Sequence, residues 1–158
     1  MVEYDGSKGY KALLLNYEDH TFAKVQIDTV SLDFFMKKLA VINEHLNREL
    51  IWNSLYQMVR DAKIQTVKFV DIVLTSLASE PADSIVETVL DDVETAIDLY
   101  TPSKFRSKLH NSIFNFIYGL LPAVPVLREN RITIVKSKMN NFASSKESIM
   151  TMVRWLKN

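Results

Sequence analysis

Apolar residues change their spacing once along this chain, near Asp28. Before it, Ala23, Val25 and Ile27 alternate with Lys24 and Gln26, the period-two pattern of a half-buried strand. Tyr10 to Asn16 (YKALLLN) is similarly strand-like. The four residues Tyr17 to His20 can turn the chain between them, so a β-hairpin over Lys11–Ile27 is expected. After Asp28 the period is helical. Leu32, Phe35, Met36 and Leu39 make one stripe behind a Ser31 or Asp28 cap. Leu50, Ile51, Trp52, Leu55, Tyr56, Met58 and Val59 share the next arc, opposite Asn53, Ser54, Gln57, Arg60 and Asp61. Val67, Val70, Val73, Leu74 and Leu77 mark a third helix. It should stop near Glu80–Pro81, because a residue before proline disfavours helical geometry.

Ile85, Val86, Val89, Leu90, Val93, Ala96, Ile97 and Tyr100 mark a fourth helix. Phe105, Leu109, Ile113, Phe116, Ile117 and Leu120 mark a fifth, between Pro102 and Pro122. Arg131 to Phe142 contains the β-branched run ITIV, yet Ile132, Val135, Met139, Phe142 and Ala143 keep helical spacing, and a helix is predicted. Ser144 to Glu147 reads as a capping box opening a last helix with Ile149, Met150, Met152, Val153 and Leu156. Short loops make sequential helices antiparallel neighbours. Two-helix units recur about every 35–40 residues, near the spacing of α-solenoid repeats. The expected fold is mainly α, a solenoid-like array of antiparallel helix pairs over 29–158, preceded by the β-hairpin in 1–28.

Composition narrows the class. A chain of 158 residues with 47% apolar and 24% charged residues is an ordinary one-domain globular length and balance. Only 3 glycines and 4 prolines argue against a turn-rich β fold. Zero formal net charge gives no overall pull toward nucleic acid or a membrane surface. The absence of cysteine removes disulfides, thiolate catalysis and thiolate metal sites. There is no signal-peptide pattern at the N-terminus, no apolar run near the roughly 18 residues of a membrane span, and no Asn-x-Ser/Thr sequon. The expectation is a cytoplasmic protein without a nucleic-acid or membrane partner.

Candidate chemistry is sparse. His20, His45 and His110 are too far apart in sequence to form a local pair. His45 and Glu49 lie one turn apart, but two ligands do not make a zinc site. No Gly-rich phosphate loop and no G-x-S-x-G elbow occurs. No catalytic, cofactor-binding or metal-binding residue is assigned. Charge is segregated: residues 69–103 carry eight acids and no Lys or Arg, and residues 104–158 carry ten bases against Glu129 and Glu147. Such blocks are read as solvated helix faces that partly neutralise one another on stacking. The alternatives are an acidic face for a cationic partner or a basic face for nucleic acid. Trp52 and Tyr56 lie on an apolar arc and are read as core.

Four blocks carry a resemblance. LLLNYEDHTFAKVQID (Leu13–Asp28) has an Asn-x-x-Asp turn before a Phe-Ala-Lys strand. LIWNSLYQMVRDAKI (Leu50–Ile64) has Trp-x-x-x-x-x-Met-x-Arg-Asp. SIVETVLDDVETAIDLYTP (Ser84–Pro102) and NNFASSKESIMTMVRWLKN (Asn140–Asn158) follow in order. Together they resemble the front half of the helical C-terminal domain of zinc aminopeptidases of the aminopeptidase N type. The resemblance implies that 1–28 is the tail of a β-domain and 29–158 a truncated helical-repeat domain. It further implies a non-catalytic lid or scaffold over the substrate chamber, with the parent's catalytic domain as partner. The family's zinc motif, His-Glu-x-x-His with a later Glu, and its Gly-x-Met-Glu-Asn loop are both absent. No cofactor is therefore expected in this chain, zinc belonging to the parent, and the chain alone is not expected to be an enzyme. The alternative is a stand-alone helical-repeat module that binds a protein or peptide. Either way an open-ended helix array is expected to self-associate.

Overall fold

The structure is a computed structural model that describes Gly9, residues 11–121 and residues 129–156. Seven α-helices follow one another among these residues: α1 (Thr29–Lys38), α2 (His45–Arg60), α3 (Thr66–Ser76), α4 (Asp83–Tyr100), α5 (Ser103–Leu120), α6 (Glu129–Phe142) and α7 (Lys146–Leu156). The ITIV run lies inside α6, because Val135, Met139 and Phe142 at helical spacing are what the core receives. The closure of α5 by Pro122 lies outside the described residues.

Local signals explain the boundaries. Asp28, rather than Ser31, caps α1, its carboxylate accepting from the backbone N–H groups of Val30 and Ser31. Those hydrogen bonds, Ser31 first, hold the Asp28 carboxyl below its usual value. α2 ends in a Schellman motif: Lys63 N–H reaches the Met58 carbonyl and Ala62 N–H the Val59 carbonyl. Ala62 takes the left-handed position at φ 55°. At α7 the capping box is displaced by one residue from Ser144–Glu147. Ser148 N–H donates to Ser145 Oγ and Ser145 N–H to Ser148 Oγ, both at 3.0 Å.

The expected hairpin does not form: no strand occurs among the described residues. The turn itself does, as a 3-10 turn at Tyr17–Asp19. Asn16 Nδ2 donates to Asp19 Oδ1 and to the Thr21 carbonyl, while Thr21 N–H returns to Asn16 Oδ1. The flanking segments then bind the helices instead of each other. Leu13 N–H donates to Ser31 Oγ at 2.8 Å, Glu18 N–H to Asn47 Oδ1, and Lys24 Nζ to Asp61 at 2.6 Å. A lone two-stranded ribbon is marginal in water, and side-chain acceptors on α1 and α2 outcompete it.

α4 is the central element. Ile85, Val86, Val89, Leu90, Val93, Ala96 and Ile97 are all buried, and α4 packs on α2, α3, α5 and α6. The principal helix contacts join elements one or two apart in the chain, such as α1 with α3, α2 with α4 and α5 with α7.

Candidate binding groove

The α2–α4 contact leaves a groove of about 380 Å³ along its outer side. Leu46, Leu50, Trp52 and Tyr56 of α2 and Ile85 and Val89 of α4 form its apolar walls. Asn53, Gln57 and Thr88 add neutral polar groups, and Asp19, Glu49 and Asp92 add three carboxylates. Helical spacing brings these together: Glu49, Asn53 and Tyr56 succeed one another on α2, as Ile85, Thr88 or Val89 and Asp92 do on α4. Asp19 arrives from the 3-10 turn that packs on α2.

Trp52 is 2% exposed, and its indole Nε1–H has no hydrogen-bond partner among the described residues. Asp92 is half-buried. Its carboxyl is pushed up to about 6, first by burial, then by the neighbouring charge of Asp91, with Arg60 pulling the other way. Burial, and next the Asp92 charge, raise the Tyr56 phenol. Arg60 stands 6.0 Å from the centre of the Tyr56 ring. No Lys or Arg approaches within 4 Å of the Asp92 carboxylate among the described residues. The core reading of Trp52 and Tyr56 holds in large part: Trp52 is buried, and Tyr56 is partly buried, packs against the core and also lines the groove.

The three histidines are dispersed. His20 meets Glu18 at 3.2 Å and His45 meets Glu49 at 3.5 Å, both pairs exposed. His110 is buried against Phe142, its Nε2 2.9 Å from Asp98 Oδ1. A carboxylate oxygen only accepts, so Nε2 carries the proton, and Nδ1 is buried without a partner. No three His, Cys, Asp or Glu side chains among the described residues come together as a metal site.

The segregated charges meet across helix contacts. On α4, Asp91 pairs with Lys138 of α6, and Glu94 accepts from Asn141 at 2.9 Å. Asp83 accepts from Arg131 Nε at 2.8 Å. Acids of α4 are therefore met by α6, two of them by its basic residues Arg131 and Lys138, in line with stacked faces that partly neutralise one another.

Sequence reasoning missed a buried network. Arg48 and Glu80 side chains are 5% and 2% exposed. Arg48 Nε donates to both carboxylate oxygens of Glu80 at 3.1 Å, and its Nη1 to the carbonyls of Ile42 and Asn43. Ala82 N–H also binds the Glu80 carboxylate, and Arg131 Nη1 binds the Glu80 carbonyl at 2.6 Å. The available signal was a cation on an apolar stripe: Arg48 precedes Ile51, Trp52 and Leu55 at helical spacing. Asp92 likewise interrupts the stripe of Ile85, Val89 and Ala96.

The family described as ERAP1-like C-terminal domain matches residues 12–149. A curated relative, Aminopeptidase N of Streptomyces lividans, is 35% identical over 97 residues. The match covers 61% of this chain and 11% of that protein, so the chain corresponds to a small part of the relative's length. No helix among the described residues is long and apolar enough to cross a membrane.

Proposed function

Because the chain belongs to the family of ERAP1-like C-terminal domains, we propose that it is the non-catalytic lid or scaffold portion of a zinc aminopeptidase. In this reading it covers the substrate chamber of a catalytic domain whose zinc motif this sequence does not contain. Its partner is that catalytic domain, and zinc is that domain's cofactor. The observation that carries the reading is the family match over residues 12–149. Residues 1–28 would be the tail of the preceding domain and 29–158 a helical-repeat array. Contacts confined mainly to helices one and two apart support a solenoid-like arrangement of helix pairs. The cysteine-free composition supports a cytoplasmic setting.

The test has two arms. The purified chain should turn over no aminoacyl-nitroanilide and should hold no stoichiometric zinc. Added to a separately produced zinc-bearing catalytic portion of an aminopeptidase N, it should bind it and change its rate on peptides more than on small chromogenic substrates. Chelator-sensitive turnover by the chain alone, or no association with the catalytic portion, would count against a lid. The second reading is a self-sufficient helical-repeat module that binds a peptide, and the α2–α4 groove favours it.

A further inference from the structure

We infer that the cavity between the start of α3 and the α4–α5 junction binds a small apolar monocarboxylate, a straight-chain acid of the octanoate kind. The cavity measures about 520 Å³, within the range of small-molecule sites. Ile64 and Val67 line it from the α2–α3 side, and Tyr100, Pro102 and Phe105 from the α4–α5 side. Val67, Tyr100 and Phe105 belong to the apolar sets that predict their helices, yet all three are exposed. Residues that the spacing assigns to the core thus meet at one concavity with their apolar surface uncovered, which marks a binding site.

Charge selects the occupant. Arg60 lines the cavity and no Asp or Glu does. Its Nη1 donates to Gln57 Oε1 at 3.3 Å, which leaves other donors of the guanidinium open. Lys104 Nζ stands 4.8 Å from the centre of the Phe105 ring. No carboxylate lies within 4 Å of either cation among the described residues. Asp92 feels Arg60 but lies beyond ion-pair distance. Two cations without a counter-ion beside apolar walls complement an anion with an apolar body. A guanidinium matches the two oxygens of a carboxylate, and the Gln65 side chain, which does not cap α3, is a further donor in the lining. A phosphate monoester carries nearly two charges, more than these walls can solvate. An acidic side chain of a peptide has too short a stem to fill the cavity, and its main chain would lay unpaired amides on the walls. This inference does not rest on the lid reading, because the acid is offered to this chain by itself.

The test titrates the full 158-residue chain with octanoate, octanol and octylammonium. Calorimetry gives affinity, and NMR shifts of the Val67 methyls and the Phe105 ring give the place. Octanoate should bind saturably, move those signals and bind more weakly as salt rises. Octanol, octylammonium and a blocked peptide with a central glutamate should each bind at least about tenfold more weakly. Arg60→Gln should weaken octanoate by about tenfold and leave octanol unchanged, a split that damage to the fold would not produce. Lys104→Gln, at an exposed position, should give a smaller loss, and Lys146→Gln, on α7, none. Val67→Asn should weaken octanoate and octanol alike. Octanol or the glutamate peptide matching octanoate, unchanged affinity in both Arg60→Gln and Lys104→Gln, or no octanoate binding at millimolar concentration would overturn the inference. So would a dimer that Val67→Asn abolishes, since a second copy would then fill the cavity.

Discussion

Asp92 ties burial to pH dependence. Its folded value of about 6 lies above its ordinary 3.8, so the native state holds this proton where the unfolded chain has released it. The sign follows: stability falls as pH rises from about 4 through about 6, and the cost is fully present above that. The shift corresponds to about 1–2 kcal/mol after allowance for partial solvent screening. Asp92→Asn should therefore raise the melting temperature at pH 7.5 by several degrees and change it little at pH 4. Equal shifts at both pH values would show that burial does not penalise the charge. Ala62 is the other informative residue. A left-handed conformation costs a non-glycine residue about 1–2 kcal/mol, while glycine there costs about 0.4–1 kcal/mol through the freer unfolded chain. Ala62→Gly should thus stabilise by about 0.5–1 kcal/mol in urea unfolding, with unchanged helix content.

At the scale of elements, Glu80 joins α2, the turn before α4, and α6. Removing one partner of a buried ion pair leaves the other charge uncompensated, at a cost of about 3–5 kcal/mol. Glu80→Ala should lose that much, and Arg48→Met combined with Glu80→Leu far less, because no charge is then stranded. A double-mutant cycle reads the coupling directly. Additive losses would mean that the pair is a bystander to packing. α7 shows the opposite condition. Its Ile149, Met150 and Val153 are exposed, although all three lie in the apolar set that predicts the helix. Helical period identifies the set but not whether a neighbouring element exists to cover it.

For the whole molecule, contacts between sequence neighbours imply low contact order and rapid, cooperative folding. Far-ultraviolet circular dichroism should show strong helix and one transition, without the strand contribution a hairpin would add. The exposed face of α7 and the uncovered Leu13, Leu15 and Phe22 of the N-terminal segment make self-association the expected behaviour at high concentration. Light scattering should detect it. Met150→Glu, at a position 55% exposed, should reduce association while changing stability by no more than about 0.5 kcal/mol. A monomer at every concentration would remove the idea.

The sequence by itself determined the helical class, the helices α1 to α7 and most of the buried faces, because apolar spacing and caps act within a few residues. It also carried the absence of the zinc motif. Only the tertiary structure decided the rest. Residues 11–27 alternate like strands, but pairing depends on what competes for the backbone, and Ser31 and Asn47 on neighbouring helices win. Ser145 rather than Ser144 caps α7, since two overlapping caps differ only in packing. Arg48 with Glu80, 32 residues apart, and Asp92 beside Tyr56 are joined by helix stacking, whose geometry no local pattern encodes.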